Sequence, residues 1–351
     1  MTRSKQRTIG ICFTGGPYSV LESTEYVRLA EEAGFDSAWS CEDIGGRDPF
    51  IPMTSWALAT KRIQLGIAVT NPYTRHPVAI AATIATLDEA ANGRTILGLG
   101  TGASWRSLIS DRWVKRVATM RETIQVIRHL LHDNEALYRG IPVSLRDSLW
   151  VWPDAQPASF RRDIPIYVGA GGPQMRRLTA READGFVIAM GKFIPTIRAE
   201  IEEYRTAASA AGKDQTKQAV VALIMISVAK SDEDLAVIRR IVAFQVQRLT
   251  EEDAAARDIE LEPYREIRNV YDRHSGDTGI VKYGTEPAAD EAAPLVTQRM
   301  LDAFAVTGNA ERCIQGLDRY IDVGVTMPAV VPLGCDVRRV IEVGKAFRAR
   351  A

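Results

Sequence analysis

The chain lacks most of the signals that assign a function outright. Its four cysteines, Cys12, Cys41, Cys313 and Cys335, form no CxxC pair and no zinc-type spacing, so they predict free thiols in a reducing cytoplasm and no metal. Forty-four Lys and Arg balance forty-four Asp and Glu. No field of one sign therefore recommends nucleic acid or an acidic membrane as a partner. No run approaches the ~20 apolar residues of a membrane span. The short basic N-terminus leads into an apolar run of only strand length, without the longer core of a secretory signal. HExxH, P-loop, GxSxG and EF-hand patterns are absent. Gly98-Leu-Gly-Thr-Gly102 has its third glycine at the wrong spacing for a dinucleotide fingerprint. The expectation these absences leave is a soluble cytoplasmic protein.

What is present is a regular alternation of short apolar runs and amphipathic stretches. Eight runs read as strands: Thr8–Phe13, Phe35–Ser40, Ile63–Val69, Thr95–Leu99, Pro165–Val168, Gly185–Ala189, Ala219–Val228 and Met327–Val331. The third, Ile63–Val69, is an apolar run with one Gly inside, as suits a strand covered on both faces. Helical patterns separate them, and an irregular stretch, Tyr138–Trp152, reads as a hairpin or extended excursion. The rhythm breaks once. Residues 231–306 carry extra helical patterns and read as an insertion between strands seven and eight. The whole, 1–351, predicts one (β/α)8 TIM barrel of the α/β class with that helical insertion.

The chain is organised around Lys61–Pro77. Gly66 inside its strand hints at a bulge or a close backbone approach. Thr70-Asn-Pro stops the strand, and Pro77 is placed to open a helix. In a (β/α)8 barrel the working face lies at the C-terminal ends of the strands. That rule selects Thr14 and Gly15, Glu42 and Asp43, Val69, Thr70 and Asn71, Thr101 to Arg106, Ala170 to Gly172, Lys192, and the loop after strand eight. Gly169-Ala-Gly-Gly-Pro173 is either a cradle whose backbone N–H groups meet a phosphate at a helix start or a tight turn. Glu42 and Asp43, adjacent in an extended loop, point to different sides. One could hydrogen-bond a ligand while the other works as an acid, or both could be solvated. Lys192 either anchors an anionic substrate or is exposed. His76 at a helix start reads as structural, and His129 with His132 lacks a carboxylate partner placed by sequence for a metal site.

Ala33-Gly-Phe-Asp-Ser-Ala-Trp39, Leu65–Pro77, Thr86-Leu-Asp88, Asn92-Gly-Arg94, Leu97–Gly102 and Gly169–Pro173 stand in an order and spacing that resembles the bacterial luciferase-like superfamily. Thr70-Asn-Pro-Tyr-Thr-Arg-His-Pro77 is similar to its deazaflavin-dependent branch, the methylenetetrahydromethanopterin reductases above all. The resemblance implies coenzyme F420 as cofactor, with FMN as the alternative, and a cis peptide at Ala68-Val69 backing the flavin ring. It implies cofactor contacts at Ala68, Val69, Thr70, Asn71, Thr101, Gly102, Ala170, Gly171 and Gly172, and substrate contacts at Lys192 and Trp105. Relatives are commonly homodimers.

Departures narrow the reaction. Relatives often carry Asp-His where this chain has Glu42-Asp43. Ala103 and Ala189 replace a catalytic glutamate and a substrate-contacting threonine of the sugar-phosphate dehydrogenases. Glucose-6-phosphate is therefore not the expected substrate, and Asp43, with Glu42, is the remaining catalytic candidate. The expected activity is hydride transfer to or from a small substrate with a C=C, C=N or C=O bond. A reduced-FMN monooxygenase and a non-catalytic flavin-binding paralogue are the rival readings.

Overall fold

A computed structural model describes residues 7–43, 46–102, 114–133, 135–139, 141–144, 161–215, 217–274 and 287–350. The elements run β1 (Gly10–Phe13), α1 (Val20–Glu32), β2 (Ser37–Ser40), α2 (Phe50–Ala59), β3 (Gln64–Ile67), α3 (Pro77–Ala90), β4 (Thr95–Leu99) and α4 (Arg116–Asp133). Then come β5 (Glu135–Tyr138), β6 (Ile141–Ser144), β7 (Ile166–Gly169), α5 (Pro173–Glu182), β8 (Gly185–Ile188), α6 (Ile194–Ala210) and β9 (Ala219–Val228). The stretch read as an insertion holds α7 (Ala236–Val246), α8 (Glu251–Ala255), α9 (Leu261–Arg273), α10 (Pro287–Ala292) and α11 (Gln298–Phe304). The chain closes with β10 (Val306–Gly308), α12 (Ala310–Asp322), β11 (Met327–Pro332) and α13 (Val337–Ala349). The fold is a closed eight-stranded parallel (β/α)8 barrel, with β5 and β6 forming a separate antiparallel hairpin.

Contacts divide the chain into two units. The first comprises Gly10–Ile188 and Glu200–Val221. Its strands pair in parallel in the order β1-β2-β3-β4-β7-β8, with Gly10 level with Ser37, Ser37 with Gln64, Leu65 with Thr95, Leu97 with Ile166 and Val168 with Phe186. Local chemistry sets its helices. Ser19 and Glu22 form a reciprocal capping box at the start of α1. Pro77 opens α3, and His76 Nδ1 accepts from Val78 N at 3.3 Å, the structural role its position predicts. Inside the sheet, Trp39 is fully buried and donates from Nε1 to Ser37 Oγ at 2.7 Å. It stacks on Tyr167 with centroids 6.1 Å apart. Gly66 is what admits that indole, because a Cβ there would lie 2.2 Å from the ring.

The second unit comprises Met1–Ile9, Ala189–Ala199 and Ala222–Ala351. Here β9 lies between β10 and β11, and β10 pairs with it in parallel, Val306 level with Ile226. Asn309 Oδ1 caps α12 by accepting from Arg312 N at 3.0 Å. Arg339 on α13 joins the Asp234 carboxylate at 2.8 Å. Among the described residues no helix is long and apolar enough to cross a membrane.

Candidate active site

Four neighbouring strands of the first unit, β2, β3, β4 and β7, end at one edge, and most of the predicted residues follow directly from them. The Ala68–Val69 peptide just after β3 is cis, where the resemblance placed it. Val69 is the wedge of this edge. A Cβ on Gly100 would stand 2.3 Å from Val69 Cγ2, one on Gly98 3.2 Å from Val69 Cγ1, and one on Gly169 3.5 Å from the same atom. Gly98 on β4 and Gly100 just after it thus make the slot that Val69 fills, while Gly169 on β7 leaves an ordinary contact distance. Gly98 is the tightest, since its Cβ would fall 1.8 Å from the Ile67 carbonyl oxygen.

The backbone then rejoins the sheet. Thr70 N donates to Gly98 O at 3.0 Å, and Gly100 N donates to Thr70 O at 2.8 Å. Asn71 is buried, and its Oδ1 accepts from Tyr73 N at 3.1 Å and Thr74 N at 3.0 Å, an Asx turn that shapes the loop. Gly102 has φ of 62° and packs on that amide, a Cβ there meeting Asn71 Cγ at 2.9 Å. Thr101 precedes it, half-buried. The structure therefore brings Ala68, Val69, Thr70, Asn71 and Gly102 together.

After β7, Ala170 is buried, while Cβ atoms built on Gly171 or Gly172 meet nothing within 4 Å. Gly172 is the N-cap of α5 and has no side-chain cap, so the first N–H groups of that helix have no side-chain partner there. Arg176, buried against Glu200 and Glu203, donates to Gly171 O at 3.1 Å and fixes the turn from behind. Open space over a helix N-terminus suits an anionic or polar ligand group.

After β2, the two acidic residues take different settings. Asp43 is half-buried and its Oδ2 accepts from Gly15 N at 3.2 Å. Burial raises its pKa above the ordinary carboxylate range, against the pull of that hydrogen bond. Glu42 has a side chain only 7% exposed. Its Oε1 accepts from Thr74 Oγ1 and from Arg75 Nε, both at 3.3 Å. Its Oε2 is buried with no partner, and so is the Thr70 hydroxyl. Cys41 beside them pairs with Cys12, sulfur to sulfur 3.5 Å. That contact, with burial, pushes the Cys41 thiol well above its ordinary range, which removes it as a nucleophile.

Residues 13–327 match the family model described as luciferase-like monooxygenase. The chain belongs to the luciferase-like family. It is 30% identical over 345 residues to the 5,10-methylenetetrahydromethanopterin reductase of Methanolobus tindarius, covering 96% of this chain and 98% of that one. It is 34% identical over 188 residues to the F420-dependent glucose-6-phosphate dehydrogenase of Amycolatopsis mediterranei, covering 48% of this chain and 53% of that one. The coenzyme F420-dependent tetrahydromethanopterin reductase of Methanopyrus kandleri shares its fold, with a TM-score of 0.77 at 24% identity over 97% of this chain and 98% of that one.

Lys192 and Ala189 belong to the second unit, where Lys192 is half-buried and follows Gly191 at φ 74°. Trp105, with Ala103, lies outside the described residues. Sequence reasoning missed Arg75 and Thr74 as partners of Glu42. Their only signal was a cation and a hydroxyl inside the loop that follows the strand-three turn. Among the described residues, no group of three or more His, Cys, Asp or Glu is arranged to hold a metal ion.

Proposed function

We propose that the chain is a coenzyme F420-dependent oxidoreductase that transfers a hydride to or from a small organic substrate carrying a C=C, C=N or C=O bond. One observation carries this reading. The open turn at Gly171–Gly172 heads α5 at the same sheet edge as the Val69 wedge and the Glu42–Asp43 pair, in a chain whose full-length relatives include proteins named for methylenetetrahydromethanopterin reduction. These residues fit a planar cofactor. Val69 is held rigidly by its glycine slot to back a flat ring, the N–H groups at the head of α5 suit an anionic tail, and Glu42 Oε2 is an acceptor that needs a donor.

When bound, a deazaflavin supplies the hydride at its C5 carbon. The chain holds the reactants at near-attack distance and orients them. Asp43, with a raised pKa, keeps a proton at its carboxyl to higher pH than an ordinary aspartate and can deliver it. We read 1–351 as one catalytic domain, 231–306 as a helical insertion, and the cell compartment as the cytoplasm. Lys192 and Trp105 are assigned to the substrate.

The test is titration of the purified protein with oxidised F420 and with FMN, followed by stopped-flow mixing with the reduced forms and candidate imines or enones. Binding of the deazaflavin and hydride transfer are expected. No deazaflavin binding at micromolar concentrations removes the proposal, and tight FMN binding with oxygen consumption replaces it with a monooxygenase.

We infer also that the chain pairs with a second copy. Helix α2 contains no charged residue, yet Ile51 and Leu58 are 61% and 77% exposed, and Leu21 on the contacting helix α1 is 79% exposed. Light scattering should report a dimer, and Leu58→Glu should yield a monomer.

A further inference from the structure

We propose that Arg75 is a positioning residue that grips one carboxylate oxygen of Glu42 and leaves the other, Oε2, as the hydrogen-bond acceptor for a donor group on the bound cofactor. This rests on the cofactor reading above. Glu42 follows β2 and Arg75 lies in the loop after β3. Arg75 Nε donates to Glu42 Oε1 at 3.3 Å, and Thr74 Oγ1 donates to the same oxygen. Arg75 is itself held on two further sides. Its Nη2 pairs with Asp48, and its guanidinium sits 5.1 Å from the centre of the Phe50 ring. Asp48 in turn accepts from Phe50 N at 2.9 Å, which anchors it at the start of α2. The Asn71 turn fixes the backbone that carries both Thr74 and Arg75.

Both contacts to the Glu42 carboxylate fall on Oε1. A side chain needed only to tie two loops together has no use for a second oxygen buried and unpaired, because such an atom costs free energy until a donor reaches it. The charged groups around Glu42 are Arg75 and, next along, Asp48 and Asp43; Cys41 on the same strand end stays neutral. Arg75 is thus the one positive group within ion-pair distance of this carboxylate among the described residues. A planar, forked guanidinium held at three points sets a carboxylate's direction as a flexible ammonium does not.

The experiment is a double-mutant cycle on the affinity for oxidised coenzyme F420, with the absorbance band of the bound cofactor as a second readout. Glu42→Gln should weaken binding roughly 10- to 100-fold, the value of a hydrogen bond to a charged group. Arg75→Met should weaken it by a similar factor and shift the bound absorbance band in the same direction as Glu42→Gln. The double variant should lose little beyond either single one, because both act through one oxygen. Arg75→Lys, which keeps the charge and is the safer variant for folding, should restore part of the affinity. Arg75→Met binding within about twofold of wild type, or losses that simply add, would overturn the inference while leaving the cofactor assignment in place. Wild-type protein that does not bind F420 would overturn both.

Discussion

Val69 shows how much a single side chain demands of its neighbours. Its methyl groups occupy space that Cβ atoms on Gly98 and Gly100 would fill. At Gly98 the obstacle is also backbone, the Ile67 carbonyl, which cannot swing aside. Gly98→Ala should therefore destabilise the protein by about 1–3 kcal/mol, as overpacking does, read as a lower urea midpoint at unchanged slope. Gly171→Ala is the contrasting case. Its Cβ meets nothing within 4 Å, so stability should change by less than about 0.5 kcal/mol. The methyl would occupy the proposed cradle, and the affinity for F420 should fall. Both glycines were visible in the sequence, but only the neighbours that surround them separate a packing glycine from a ligand-facing one.

Asp43 carries the pH dependence at this scale. Its pKa in the folded protein is raised by burial, so the neutral acid survives above the range where an ordinary aspartate has ionised. Its contribution to stability is present below the unfolded-state pKa and lost as pH rises through the folded-state value. If it donates the proton, turnover in the reductive direction should decline along the same rise. Asp43→Asn should abolish that limb of the pH–rate profile and slow the proton-dependent step by roughly 10²–10⁴-fold, with cofactor affinity largely kept.

At the scale of elements, the junction between α1 and β3 depends on one buried carboxylate. Glu31, on the last turn of α1, accepts from the backbone N–H groups of Lys61, Arg62 and Ile63 at 2.9, 2.6 and 2.9 Å. Burial raises its pKa, but the three N–H groups outweigh burial and the net shift is downward. A lowered pKa means stability that is present above the unfolded value and lost as pH falls through the folded one. Glu31→Gln should cost about 1.5–3 kcal/mol at neutral pH and flatten the acid limb of stability against pH, measured by denaturant midpoints from neutrality downward.

The barrel strands and their helices were readable because each is short, apolar and bounded by turn residues. Ala219–Val228 was placed to the residue, and Ser19-x-x-Glu22 sets the start of α1. The short strand β10 was not readable, because Val306-Thr-Gly308 is too brief to show a period and is a strand only through pairing with β9. Gly66 was read as a bulge or close backbone approach. The structure instead sets it against the Trp39 indole and puts the close backbone contact at Gly98, a distinction that rests on which side chain occupies the neighbouring strand.

At the scale of the whole molecule, the balanced charge leaves ligand binding as the property that can be read most directly. A ligand that binds only the folded chain stabilises it in proportion to the logarithm of its concentration, about 2.7 kcal/mol at a hundred times its Kd. Saturating F420 should therefore raise the thermal midpoint by several degrees, and FMN at equal concentration should leave it nearly unchanged. Equal shifts with both would point to a generic flavin-binding site.

The sequence by itself determined the class of fold and the set of strand-end loops, because burial on both faces and the chemistry of turns are written in composition and order. Its ordered motifs also sufficed to place the chain among luciferase-like proteins. Only the tertiary structure decided which oxygen of Glu42 is held and which is left unpaired, and that Arg75 does the holding. Those facts depend on residues some thirty positions apart meeting at the ends of adjacent strands, and direction at a carboxylate is set by contacts that no periodicity records.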